Sequence, residues 1–327
     1  MSRTVLSFAA AALLLAATAI YSLRTGSISV GFGELVQGLI HGGNKQVEVI
    51  RDLRLPRILT AMLVGAALSA SGALLQAVLR SPLADAGVIG ISSGAGFVSI
   101  LTVSLFPGLF FWMPALACLG GALAFVLVYT LSWKSGLDPI RMILVGIAVN
   151  ATFSGLGQAL HYRGSLAVAT ANPAAASTLT MKTWDDVAVI AGYGGVGLAL
   201  AWLAAGWCNL LSLPDKSARN LGLRVARARW LVSAAAVLLA AVATAIGGLI
   251  AFVGLLVPHI ARILVGSDYR KLVPFSALAG ALLILAADTL GRTALAPAEI
   301  PASLLLAVIG GPFLIFLIRR KEGVHGH

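Results

Sequence analysis

The amino-acid sequence predicts an all-α, polytopic membrane protein with about ten transmembrane helices, and three observations lead to this fold class. Ten apolar stretches fill the chain, and almost none has a charged residue near its middle; an α-helix needs about 20 apolar residues to cross a bilayer. Charged residues make up only 11% of the chain and the mean hydropathy is +0.97, whereas soluble domains carry about 25% charged residues. Lys and Arg are concentrated on one side of the predicted spans. The predicted spans are 5–23, 58–79, 88–106, 113–133, 141–160, 187–206, 231–248, 249–264, 272–290 and 303–318.

The distribution of basic residues predicts the orientation. An even number of spans with an inside N-terminus places 15 of the 23 Lys and Arg residues on the cytoplasmic side. The positive-inside rule therefore predicts a multi-pass protein of the cell (inner) membrane with both termini in the cytoplasm. Topology and contact with lipid explain the net charge of +11, and we expect no nucleic-acid partner. The first stretch also resembles a signal peptide, but its length and the even span count favour a retained helix.

The first outside loop is predicted at 24–57. No segment is long enough for a soluble domain, so we predict that 1–327 forms one transmembrane domain. Pro56 disfavours helix at the residue before it, which predicts that the second span begins just after Pro56. That span carries a block of small residues from Gly65 to Gly72. Small residues allow close helix contact, so we expect an interior helix.

Pro and Gly are dense in 81–96, which predicts an inside turn. The turn leads either into a broken helix that lines a pathway or into an ordinary packed helix. Irregular backbone at membrane depth is tolerated only when it is buried in protein or lines a wet cavity.

Two further segments lie between spans. Residues 161–186 are predicted outside, as a short helix or loop over the mouth of the bundle. Residues 212–230 are predicted inside as two short surface helices, with Asp215 as an N-cap and Gly222 at a helix end. This basic segment is either a docking platform for a cytoplasmic partner or an interfacial segment on anionic lipid.

The chain lacks the motifs of several catalytic classes. It has no P-loop, HExxH, CxxC or GxSxG sequence, so we expect no catalytic residue, no metal site and no cofactor of its own. The predicted spans are nearly free of ionisable residues, which argues against an ion-coupled carrier. Asp288 is the main exception, and Arg292 at i+4 is its predicted partner near the outer end of a helix.

One polar trio is a candidate ligand site. His161, Tyr162 and Arg163 combine an imidazole, a phenol and a cation at the outer end of the fifth span. They either contact a ligand or form part of an interfacial belt of aromatic and basic anchors.

Several motifs in order along the chain resemble the FecCD family, the permease subunits of type II ABC importers for iron–siderophores, haem and cobalamin. They are LRLPR at 53–57, VGAAL at 64–68, SGALLQ at 71–76, PLAD at 82–85, GISSGA at 90–95, AFVGL at 251–255, VPHIAR at 257–262, VGSD at 265–268, ADT at 287–289, EIP at 299–301 and GGPF at 310–313. The resemblance implies a type II ABC importer permease fold, and a homodimer (less often a heterodimer) with the pathway at its interface. It also implies two cytoplasmic ATPase subunits, which hold the ATP and Mg, and a periplasmic or lipoprotein binding protein.

The resemblance also implies site residues. The docking surface for the binding protein corresponds to Arg54, Arg57 and Arg292, which could instead be interfacial anchors. The segment that receives the ATPase includes Asp215, Arg219, Gly222 and Arg224. Gate positions of the cobalamin branch correspond to Ser81, Leu83, Pro139 and Ile140, and the last two depart from that branch's small hydroxyl residues.

The sequence therefore predicts an ATP-driven importer permease for iron(III)–siderophore complexes. A haem importer is the alternative, followed by cobalamin. A secondary carrier driven by an ion gradient and a membrane scaffold or enzyme are the competing classes.

Overall fold

The computed structural model describes residues 3–25, 50–132, 139–163, 179–295 and 298–322, and within these ranges the chain is helical with no strand. Most of the predicted first loop and part of the segment 161–186 fall outside the described residues. The helices are α1 Arg3–Arg24, α2 Leu55–Leu79, α3 Ile91–Leu105, α4 Met113–Ser132, α5 Pro139–Arg163, α6 Trp184–Leu211, α7 Asp215–Asn220, α8 Val225–Gly247, α9 Val253–Val265, α10 Tyr269–Thr293 and α11 Ala302–Glu322. A π-helical turn, Ile50–Arg54, precedes α2, and a 3₁₀ turn, Pro107–Trp112, precedes α4.

Each of the ten predicted spans has a counterpart, which confirms the predicted fold class. In the described part of the chain, seven helices are long and apolar enough to cross a membrane, namely α1, α2, α4, α5, α6, α8 and α10. Three apolar helices are shorter: α3, α9 and the part of α11 from Ala302 to Leu314. The remaining helix, α7, is a short polar element between α6 and α8.

The central helix is α2, which packs against α6, α8, α9 and α10. Its small residues allow the backbones to meet, as predicted. A Cβ on Gly65 would lie 2.1 Å from the carbonyl oxygen of Gly280 on α10, and one on Gly72 would lie 2.0 Å from that of Gly254 on α9. The two glycines are seven residues apart, so one face of α2 holds both neighbouring helices.

Helix α9 has only 13 residues, about 20 Å at 1.5 Å per residue, and it begins against the middle of α2. The preceding segment, 248–252, is not helical, and Phe252 has a left-handed φ of +69°. Pro258 has no N–H for the carbonyl oxygen of Gly254, four residues earlier. The side-chain amide of Gln76 on α2 donates to that oxygen at 3.1 Å. A neighbouring helix thus satisfies the carbonyl that Pro258 leaves unpaired at the interior start of α9.

The predicted turn after α2 is present and runs from Arg80 to Gly90 before α3 begins. It folds into the protein: Asp85 and Ala86 are buried. Burial is the condition under which irregular backbone is tolerated at this depth. Helix α3 packs against α4, and its Ser93 and Phe97 line a cavity. That α3 lines a transport pathway stays a prediction.

The segment 212–230 differs from the prediction in two ways. Asp215 is the first residue of α7 and Pro214 holds the N-cap position, because the Asp215 carboxylate pairs with arginines instead of a backbone N–H. The predicted second surface helix is the beginning of the long helix α8. Gly222 does end α7: it has a φ of +85° and donates to Arg219, while Leu223 donates to Ala218, which is a Schellman motif.

The two ends of the bundle carry separate charged clusters. We call the end at the start of α2 the Arg57 end, and the opposite end, which carries α7, the Asp215 end. Because α2 has 25 residues, the two ends lie roughly 37 Å apart along its axis.

Candidate functional site

A cavity of about 330 Å³ opens between α3, α5, the 248–252 segment and α11. Its wall is mainly apolar, with the rings of Phe97 and Phe153 at a centroid distance of 5.7 Å. Ser93, Ser154, Gln158 and Ser303 supply polar groups, and the lining residues that the structure describes include no ionisable side chain. Such a wall suits a ligand with apolar surface.

The predicted ligand trio lies at one end of this cavity wall. His161, Tyr162 and Arg163 form the last turn of α5, and the cavity residues Gly157 and Gln158 precede them by one turn. The structure describes their backbone, and ligand contact remains a prediction. Among the described residues there is no group of three or more His, Cys, Asp or Glu that could hold a metal ion.

Of the predicted gate residues, Ser81 and Leu83 are not among the described residues that line the cavity. Ser81 is buried in the turn after α2, and its hydroxyl accepts the backbone N–H of Leu83 at 3.3 Å. Pro139 and Ile140 form the first turn of α5, at the other end of that helix from His161. Their role as a gate stays a prediction.

The three predicted docking arginines converge at the Arg57 end. Arg57 donates to both carboxylate oxygens of Asp288, at 2.8 and 3.0 Å, and lies 3.0 Å from Glu299. Arg292 lies 3.5 Å from Asp288, which confirms the predicted i,i+4 pair, and Arg54 donates to a backbone carbonyl of α1 at 2.8 Å. We call Arg54, Arg57, Asp288, Arg292 and Glu299 the outer cluster.

Exposure in the outer cluster is uneven. The side chains of Asp288, Arg292 and Arg57 are 4%, 10% and 12% exposed, whereas that of Glu299 is 42% exposed. With three cations and two carboxylates the cluster has one net positive charge. The exposed carboxylate of Glu299 pairs with Arg57, whose role in docking a partner stays a prediction.

A second cluster ties α7 to the Asp215 end. The Asp215 carboxylate pairs with Arg80 and Arg229, the latter at 3.0 Å, and Arg80 also donates to the carbonyl of Leu211 at 2.8 Å. Partial burial opposes ionisation, but the two arginines lower the pKa of Asp215 below its ordinary value.

The other predicted ATPase-coupling residues, Arg219, Gly222 and Arg224, are exposed on the same surface. Asp215 thus holds the helix in place while its neighbours face outward. Sequence reasoning missed Arg80, because the sequence alone does not show that the end of α2 meets α7.

The chain is similar to membrane permeases of one transport family. The FecCD transport family matches residues 14–320. A Staphylococcus aureus (strain MSSA476) protein described as a haem-iron transport system permease, IsdF, is 44% identical over 311 residues, 94% of each chain, and its counterpart in strain Newman is equally similar.

Two solved structures share the fold. One, described as a metal-chelate type ABC transporter in an inward-facing conformation, has a TM-score of 0.79 at 33% identity and covers 96% of this chain and 99% of that one. The other, PsaBC from Streptococcus pneumoniae in complex with Fab, has a TM-score of 0.59 at 16% identity, with 88% and 95% coverage, and supports the fold alone.

Proposed function

This chain belongs to the FecCD transport family as the permease subunit of an ABC importer, and from that premise we propose that its cargo is haem. The observation that carries the proposal is the 44% identity, over 94% of the chain, to permeases described as haem-iron transporters. The motifs alone predict ferric siderophores first and haem second, and this similarity reverses that order.

The cavity supports a largely apolar cargo. Two phenylalanine rings and aliphatic side chains form most of its wall, and the described polar side chains are those of Ser93, Ser154, Gln158 and Ser303. His161 and Tyr162, one turn further along α5, are residue types that bind haem iron. They are the residues we assign to cargo contact, with Arg163 for a propionate.

We further propose the assembly. The Asp215 end is cytoplasmic and receives the ATPase through Arg219, Gly222 and Arg224, because most Lys and Arg residues lie towards that end. The Arg57 end faces the binding protein, and a second copy of the chain completes the pathway. Arg57 and Arg292 offer forked guanidinium groups suited to the partner's carboxylates.

The cargo proposal is tested by uptake into proteoliposomes that hold this chain with its ATPase, binding protein and internal ATP. Labelled haem and a labelled ferric siderophore are supplied in parallel. ATP-dependent haem uptake is expected, and the His161→Ala variant should lose it while the Tyr193→Phe variant, altered on α6 away from the cavity lining, should not. Siderophore uptake without haem uptake would overturn the proposal.

Docking has a separate test in the affinity of the loaded binding protein. Glu299→Gln removes the exposed carboxylate that competes for Arg57, so affinity should rise and become more dependent on salt. Asp52→Asn is the matched control, because it makes the same charge change in the turn before α2 at an aspartate paired with Arg51. Equal effects from both variants would mean that only net charge matters and that Arg57 is not the docking group.

A further inference from the structure

Asp85 is a buried carboxylate that the proposed function does not use. It lies in the turn between α2 and α3, is 4% exposed and has no arginine, lysine or histidine partner within salt-bridge distance among the described residues. Its carboxylate faces the backbone N–H groups of Ala86, Gly87 and Phe252. A buried charge is costly unless polar groups compensate it, and these N–H groups favour the ionised carboxylate.

The third donor belongs to a different part of the chain. Phe252 is the N-cap residue of α9 and has a left-handed backbone. One Asp85 oxygen also occupies the space that a side chain on Gly254 would need, 2.3 Å from the ideal Cβ position. Asp85 therefore joins the turn after α2 to the interior start of α9, where the helix dipole favours a negative charge.

The turn that holds Asp85 begins at Arg80, which is paired with α7. Arg80, its first residue, has a left-handed φ of +49° and pairs with Asp215 of α7. Only four residues separate Arg80 from Asp85. A short, partly buried segment therefore connects the residue that pairs with α7 to the Asp85 carboxylate.

The segments on both sides of Asp85 form cavity wall. The turn continues into α3, whose Ser93 and Phe97 line the cavity, and Phe252 follows Leu249 and Ala251, which also line it. Asp85 thus lies between two wall segments that are more than 150 residues apart in sequence.

We propose that Asp85 is the positioning residue that couples α7 to the cavity wall. Its carboxylate makes the turn at 81–90 and the segment 248–252 move as one body when α7 moves. The proposal rests on the proposed function, since it assumes that an ATPase acts on α7. It adds that this carboxylate transmits the movement of α7 to the start of α9.

The first test measures haem uptake and ATP hydrolysis in the reconstituted complex for Asp85→Asn. The amide keeps the shape, but it presents one oxygen and one N–H₂ to three backbone donors. Hydrolysis should be retained, and haem taken up per ATP should fall by about five- to 150-fold, the usual range of allosteric coupling. Asp186→Asn is the control, because that carboxylate likewise accepts a backbone N–H at a helix start, from Thr183 at 3.0 Å, but on α6.

A proportional fall in uptake and hydrolysis would show a general structural role and overturn the coupling proposal, as would a normal uptake ratio. If the wild-type complex transports no haem, the cargo proposal fails instead, and hydrogen exchange still tests Asp85. In the wild-type complex with and without a non-hydrolysable ATP analogue, peptides covering 81–90 and 248–254 should change protection together. Independent changes in the two peptides would overturn the coupling even if the variant failed to fold.

Discussion

Replacing Asp288 with Asn should destabilise this protein far more than replacing Glu299 with Gln, although both carboxylates pair with Arg57. Asp288 is 4% exposed and lies between two guanidinium groups that are themselves only 10–12% exposed. Removing one partner of a buried pair costs about 3–5 kcal/mol, because the remaining charge is left uncompensated. Here we expect about 3 kcal/mol, the lower end of that range, since Arg57 keeps Glu299.

Glu299 is 42% exposed, and a pair with an exposed partner contributes about 0–1 kcal/mol. The assay is denaturant-induced unfolding in detergent, followed by fluorescence, for Asp288→Asn, Glu299→Gln and Arg57→Gln, with the double variant of Asp288 and Arg57. The coupling energy between Asp288 and Arg57 should lie at about 1–3 kcal/mol. Equal losses for the two carboxylate variants, or a coupling near zero, would refute the reasoning that burial determines the strength of these pairs.

Three further outcomes follow from packing and charge inside the bundle. Gly72→Ala should lower the melting temperature, with a loss of about 1–3 kcal/mol from overpacking against the backbone of Gly254, whereas Gly192→Ala, which meets no atom within 4 Å, should be neutral or stabilising. Gln76→Leu should cost about 1–3 kcal/mol, because the carbonyl of Gly254 loses its donor; a loss no larger than that of a surface variant would count against it. The lowered pKa of Asp215 means that its pairing stabilises the fold above its unfolded pKa of about 3.9 and is lost as pH falls through the lower folded value, so melting curves of the wild type should converge with those of Asp215→Asn only in acid.

Hydropathy made the ten helices predictable, because each span had to bury its backbone polar groups within itself. The pair of Asp288 and Arg292 was predictable for a similar reason, since a spacing of four residues fixes their proximity on one helix. The nearer partner of Asp288, Arg57, was not, because 231 residues separate them and only the packing of α2 on α10 brings them together.

The interior start of α9 also could not be predicted from the sequence. The stretch from 231 to 264 is almost uniformly apolar, so hydropathy cannot tell a full span from a half-length helix that begins inside the protein. Pro258 was visible, but it gave no indication that Gln76 on another helix would replace its missing donor. The Asp85 carboxylate shows the same limit: the motif was readable, and its contact with Phe252 depends on tertiary structure.

The short length of α9 has a consequence for how the protein is made. A helix of about 20 Å cannot by itself cross about 30 Å of hydrocarbon, so α9 is a poor candidate for independent insertion as it leaves the ribosome. Its start depends on Gly72, Gln76 and Asp85, all of which are synthesised more than 160 residues earlier. The N-terminal half must therefore be folded in the membrane before α9 emerges. A chain whose early helices fold late would leave α9 exposed to membrane quality control.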